Sequence, residues 1–249
     1  MVTIEYDGTE FHGWQLQPQE PTVQGVMEKA VREITGEQVR VIGASRTDAG
    51  VHAEGQVAHF DTDYDLGEAR FAAALNYWLP RSVAVLDCCH APGDFHACSW
   101  ASGKVYRYRV LRSAHRRPLR ERYVLREWRR LDTAAMRECA TMLAGEHDFT
   151  SFASEHTETE HNMRRLVRSE LIEKGDELHY LVEGEGFLYN MVRIIAGTLL
   201  EVGLGKRTVP EFAELLKTHD RRAAGPTAAA KGLTLVEVKY PDDPRQGGR

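Results

Sequence analysis

The sequence predicts an α+β fold built from two units, each mixing antiparallel strands with amphipathic helices. Three observations carry this expectation. Alternating apolar runs and helix-period runs succeed one another as β-α-β-β-α-β through residues 2–89. A turn-rich break, Ala91-Pro92-Gly93-Asp94, and a polar link from Ser99 to Gly103 then interrupt the pattern. Beyond the link, strands and helices mix again. The division is placed at residues 1–98 and 99–249, and no internal sequence repeat is visible.

Val2, Ile4 and Tyr6 alternate as on a half-buried strand. A Gly/Pro/Gln loop runs from Gly8 to Pro21. Val23, Val26, Met27, Ala30, Val31 and Ile34 then recur at helical spacing, with Thr22 placed as N-cap and Gly36 as stop. Val39 and Val41 start a second strand, and Val57 to Phe60 form a third. Glu68 to Trp78 reads as a helix ended by Pro80, and Val83 to Cys89 as a strand. This order is of the ferredoxin-like type.

In the second half, Val105 to Leu111 is a strand with Tyr106, Tyr108 and Val110 on one face. A basic loop and a short strand near 123–128 follow. Asp132 to Leu143 is a helix stopped by Gly145. Residues 146–163 read as polar and irregular, too long for a passive connector. Leu166 to Ile172 and Glu177 to Glu183 form a hairpin around Lys174-Gly175-Asp176. Helices over Leu188–Val202 and Val209–Lys217 and a closing strand, Leu233 to Tyr240, complete the chain. Two related units sharing one extended antiparallel sheet, with helices packed on it, is the architecture these elements suggest.

At 249 residues, 42% hydrophobic and 28% charged, the composition is that of an ordinary globular protein. The apolar stretches fall short of a membrane span, and the opening residues do not read as a leader. Cys88, Cys89, Cys98 and Cys139 form no CxxC pair, which disfavours a disulfide framework or zinc knuckle and fits a reducing cytoplasm. There is no dinucleotide loop, P-loop or metal quartet, so neither cofactor nor metal is expected. The net charge is −5, yet Lys104 to Arg130 carries eleven Lys or Arg against two acids. Such a basic segment can bind phosphates on one face of an acidic body, or be solvated strand alternation.

The stretch Gly43-Ala44-Ser45-Arg46-Thr47-Asp48-Ala49-Gly50-Val51-His52-Ala53 concentrates chemistry in a glycine-flanked turn. Arg46 and Asp48, two apart, point to the same side of an extended chain. An Asp beside an Arg stays ionised and accepts hydrogen bonds only. That suits a nucleophile or base, and equally a structural ion pair.

Arg46-Thr47-Asp48-Ala49-Gly50-Val51-His52 resembles the active-site loop of the tRNA pseudouridine synthase A family. Further similar stretches follow the family order: Ile4 to Gly8 with Gly13-Trp14-Gln15, Gln56 to Phe60, Asp94 to Ala97, Tyr106-Arg107-Tyr108, Asp148 to Phe152, Met191 to Gly197, and Ala230 to Leu233. They span almost the whole chain. The resemblance implies an isomerase that converts uridine to pseudouridine at positions 38–40 of the tRNA anticodon arm. It further implies base flipping, a homodimer, and a central RNA-binding cleft.

The resemblance makes Asp48 the catalytic carboxylate, Tyr106 the aromatic platform for the flipped uracil, and Arg193 the partner of Asp48. The bland alternatives are a core tyrosine on a strand and an arginine on an exposed helix stripe. Arg46 can hold the flipped nucleotide's backbone, and Gln15 with the Gly13-Trp14 turn lines the RNA cleft or packs beneath it. His52 and His59 read as structural. Val105 before Tyr106 and Leu16 after Gln15 stand where the family often has basic or polar residues. Two other function classes fit less well. An RNA-binding module would not need Asp48, Tyr106 and Arg193 together. A glycosidase-like hydrolase needs a second placed acid, for which the loop offers only Glu54 and Asp61.

Overall fold

The computed structural model describes residues 1–154, 161–241 and 243–246. The chain forms two compact units, Met1–Ser102 together with Thr234–Arg249, and Gly103–Leu233. Among the described residues there are ten strands and five α-helices, so the class is α+β.

The first unit opens with β1 (Val2–Tyr6), whose Val2, Ile4 and Tyr6 are buried as the alternation expects. Helix α1 (Val23–Thr35) starts where Thr22 Oγ1 accepts from the Gly25 N–H. It stops at Gly36, whose φ of 77° lets its N–H return to the Arg32 carbonyl. Such an N-cap hydroxyl is worth about 0.5–2 kcal/mol. Then come β2 (Ile42–Gly43), β3 (His52–His59), α2 (Glu68–Trp78) and β4 (Val83–Cys88). β1 lies between β4 and β3, and β2 pairs with β3, all antiparallel. Ile4, Met27, Val31, Val57 and Leu75 are fully buried in this unit. Each such side chain contributes about 1.5–3 kcal/mol.

Two strand boundaries differ from expectation for physical reasons. Val39–Val41 is no strand. The Val41 N–H is instead taken by the Glu28 carboxylate at 3.1 Å, so its ladder donor is already used. β3 begins five residues before Val57 because His52, Ala53, Gly55 and Gln56 are all buried. A strand buried on both faces shows no alternation.

The second unit begins with β5 (Gly103–Arg112) and β6 (Leu125–Glu127). Next are α3 (Thr133–Met142), β7 (Gly145–Asp148), β8 (Met163–Lys174), β9 (Glu177–Gly184), α4 (Met191–Gly203) and α5 (Val209–Thr218). Its strands run in the order β5-β9-β8-β7, antiparallel, with β6 against β5. The β8–β9 hairpin turns on Gly175-Asp176. Gly175 sits at φ 60°, the positive value that a glycine-led two-residue turn demands. The segment expected to be irregular is partly ordered: Gly145–Asp148 pairs with β8, and Thr150–Phe152 forms a 3₁₀ turn. Residues 155–160 of that segment lie outside the described residues.

Helix α4 is buried on every side except at Arg193 and Glu201. An all-apolar helix of this kind is a core helix. It packs on α3, α5 and β5. The exposed-stripe alternative for Arg193 therefore does not hold.

The last strand, β10 (Leu233–Lys239), belongs from Thr234 onward to the first unit, where it pairs with the start of β3. That pairing is parallel, as is β5 with β6. The expectation of purely antiparallel pairing is corrected at these two places, and the pairing is mixed. Both units also share an order absent from the sequence as a repeat. A strand, a helix, an antiparallel strand pair and a helix follow one another, and the later strand of each pair lies beside the first strand, as β1-β3-β2 and β5-β9-β8.

Candidate active site

In the first unit, Asp48 lies in the connection between β2 and β3. Thr47 is buried, with its hydroxyl 2.7 Å from the Tyr6 phenol. With Thr47 turned inward, Arg46 is exposed and Asp48 half-buried, the alternation of an extended segment. The chain then turns tightly: Val51 N–H donates to the Asp48 carbonyl at 3.1 Å, and Gly50 has φ 76°. A type II turn needs that positive φ at its third residue.

The loop is held from three sides. The Gln56 amide donates to the Ser45 carbonyl at 2.7 Å and accepts from the Ser45 N–H at 3.2 Å. Trp14 N–H donates to the Thr47 carbonyl at 3.0 Å, and Gly50 N–H to the Phe11 carbonyl at 3.2 Å. Gly13 is required where the two loop segments cross: at φ 87°, a Cβ there would stand 2.6 Å from the Thr47 carbonyl oxygen. Trp14 is buried against Gly43, so it packs beneath the loop, while Gln15 beside it is half-buried. His52 is buried, and its Nδ1 accepts from the Gly8 N–H at 3.0 Å. His59 Nδ1 accepts from the Ala97 N–H, and burial, with His96 nearby, lowers its pKa. Both histidines serve backbone groups, as structural histidines do.

In the second unit, Tyr106 is a buried residue of β5, and its ring meets Phe187 edge-on at 5.0 Å. Arg193 is the third residue of α4. Its Nε donates to the Ala228 carbonyl at 2.9 Å and its Nη1 to Asn190 Oδ1 at 2.8 Å. The Ala228 N–H in turn donates to the Arg193 carbonyl. The segment carrying Ala228 lies directly on α4, because Gly197 leaves room for the Pro226 carbonyl where any Cβ would collide. The Gly225 N–H reaches Thr198 Oγ1 at 3.0 Å. Nearby, Tyr108 donates to the Ala229 carbonyl at 2.8 Å, and its ring covers Gly232. Burial pushes the Tyr108 phenol above its ordinary range, although Arg193 pulls the other way.

The basic segment is divided. Arg109 grips Glu177 through two hydrogen bonds, Arg112 pairs with Glu173, Arg120 with Asp176 and Glu177, and Arg129 with Glu127. Arg116, Arg117 and Arg130 are exposed. Among the described residues no three His, Cys, Asp or Glu side chains are grouped as metal ligands, and no helix is long and apolar enough to cross a membrane.

A family model described as tRNA pseudouridine synthase matches residues 2–98 and 139–241. The chain belongs to that family. The tRNA pseudouridine synthase A of Halalkalibacterium halodurans is 47% identical over 233 residues, covering 93% of this chain and 89% of the relative. The enzyme of the same name from Geobacillus kaustophilus is 47% identical over 241 residues, 96% of this chain and 93% of its own. That from Myxococcus xanthus is 44% identical over 245 residues, 98% and 92%.

For this member of the pseudouridine synthase family, the structure adds supports that sequence reasoning did not single out: Tyr6, Gln56, Phe187 and Asn190. Tyr6 and Gln56 stand inside stretches that carried the resemblance, so a signal for them existed. Phe187 and Asn190 gave none: the chain is still turning where the apolar spacing placed a helix from Leu188, and α4 starts only at Met191.

Proposed function

We propose that the chain isomerises uridine to pseudouridine in tRNA, at positions 38–40 of the anticodon arm, working in the cytoplasm as a homodimer. What supports this reading is similarity over nearly the whole chain to relatives named tRNA pseudouridine synthase A. The reaction breaks the C1′–N1 bond, turns the uracil and joins C1′ to C5; the proton lost from C5 is balanced by one gained at N1. Nothing is oxidised, so the chemistry needs a carboxylate, an extruded base and a dry pocket.

Asp48 is the proposed carboxylate. It can add to C6, attack C1′ or take a proton from C2′. The held turn supports the role, since a nucleophile works from a fixed geometry. Arg193, fixed by two of its own hydrogen bonds, is its proposed partner and keeps it ionised. Tyr106 is the proposed platform for the flipped base, Arg46 the proposed grip on the nucleotide backbone, and Gln15 a lining residue. Residues 1–98 carry the carboxylate and 99–249 the arginine and tyrosine. We further infer that both units derive from a ferredoxin-like arrangement, which the shared strand order supports.

The test is to incubate the protein with unmodified tRNA and map pseudouridine by nucleotide. Modification at 38–40 is expected. Asp48→Asn should lose activity by about 10⁴-fold or more while still binding tRNA, because the amide can act as neither nucleophile nor base. Release of free uracil would overturn the isomerase reading in favour of a hydrolase, and Asp48→Asn activity within tenfold of wild type would remove Asp48 from the mechanism.

A further inference from the structure

Asn190 sits where a helix N-cap belongs, yet it does not cap. An Asn at this position ordinarily accepts from a backbone N–H of the first turn. Here the side chain makes no cap hydrogen bond. Its Oδ1 takes the Arg193 guanidinium instead, at 2.8 Å. The backbone is also unusual: φ 61° and ψ 3° put Asn190 in the left-handed region. Only two other non-glycine residues among those described share a positive φ, Gln19 and His219. Asparagine tolerates this conformation better than most residues, but glycine tolerates it best. A position that asked only for the turn would be served by glycine. The amide is therefore kept for what it touches.

What it touches is one edge of a guanidinium whose Nε is already bound to the Ala228 carbonyl. Two hydrogen bonds from different nitrogens fix the plane of the group as well as its position.

We propose that Asn190 is a positioning residue, which sets the plane of the Arg193 guanidinium so that its fork meets a carboxylate squarely. This rests on the reading of Arg193 as partner of the catalytic carboxylate. The carbonyl of Ala228 is the second fixed point, and Gly197, by leaving room for the Pro226 carbonyl, lets the segment that carries it lie on α4.

Asn190→Gly is the decisive variant, because it keeps the left-handed turn without strain and removes only the amide. Three quantities are measured on wild type and variant: the single-turnover rate on unmodified tRNA, the tRNA Kd with the Tm, and rotation of the Arg193 guanidinium about Cζ–Nε by ¹⁵N NMR. The expected result is a rate loss of about tenfold or more, Kd and Tm within the wild-type range, and faster guanidinium rotation. A rate within twofold of wild type overturns the proposal. So does a loss that follows Tm or Kd while the guanidinium stays fixed, since that is the signature of a merely structural residue. An inactive wild type would instead overturn the isomerase reading and this inference with it. An active wild type beside a fully active Asn190→Gly overturns the inference alone.

Discussion

The Gln56 carboxamide closes a ring of two hydrogen bonds with the backbone of Ser45, three residues before Asp48. Gln56 has no exposed surface. Removing the amide breaks both bonds, and a buried polar group that loses its hydrogen bond costs about 1–3 kcal/mol. Because the ring needs one donor and one acceptor, Gln56→Glu makes a pH-dependent enzyme. A protonated Glu reproduces both bonds, while an ionised one sets a charge against the Ser45 carbonyl. Burial raises a carboxyl pKa, so the neutral form persists above the usual range and is lost as pH rises. The rate of Gln56→Glu relative to wild type should therefore fall with increasing pH. A flat ratio would mean that Gln56 does not hold the loop.

Tyr106 and Phe187 meet edge-on, an arrangement worth about 0.5–1.5 kcal/mol beyond burial. Tyr106→Phe keeps that contact and the stacking face, whereas Tyr106→Leu loses both. If a base stacks on this ring, Leu should weaken tRNA binding more than Phe by about 1 kcal/mol or more. The Tm of each variant separates lost packing from lost stacking. Equal tRNA affinities would count against the platform role.

Much of this molecule was legible wherever side chains repeat with a period. α1, with Thr22 and Gly36 at its ends, and α2, stopped before Pro80, follow from spacing and caps alone. What escaped was set by partners distant in sequence. The start of β3 is buried on both faces by polar and small residues, and the parallel seat of β10 on β3 depends on a strand almost two hundred residues away. At the candidate site, Asp48 and Arg193 were marked by resemblance. Of the atoms that fix them, the Gln56 amide lay inside a stretch that carried the resemblance, whereas Asn190 and the carbonyl of Ala228 lay outside those stretches, and a backbone carbonyl leaves no trace in residue identity.

Glu177 is a hub that accepts from Arg109, Arg120 and His179. Burial alone would raise its pKa, but the two Arg109 bonds and the His179 bond outweigh that and lower it from 4.5 to about 2. A carboxylate depressed by folding adds stability above its unfolded pKa and loses it as pH falls through the folded value. The window therefore runs from about pH 4.5 down to about 2. Tm should fall more steeply across this window for wild type than for Glu177→Gln, which has no proton to take up. Parallel Tm curves would show that the hub contributes nothing to acid stability.

The ion pairs of the basic segment decide which arginines are available to phosphates. Arg120 is bound 2.7 Å from Asp176 and 3.3 Å from Glu177, so it ties the loop after β5 to the β8–β9 turn. Reversing its charge should lower Tm, because it sets three carboxylates together. Arg116 and Arg117 are exposed on the same loop. Charge reversal of these two should leave Tm near wild type and weaken all tRNAs alike, since arginines on phosphates position RNA without reading its sequence. Each phosphate left without its arginine should reduce the log–log salt slope by about 0.7–0.9. The measurement is tRNA affinity across a salt series for wild type, for the Arg116/Arg117 pair and for Arg120 alone. Unchanged slope and affinity in the paired variant would mean that these arginines are solvated surface and that the RNA backbone runs elsewhere.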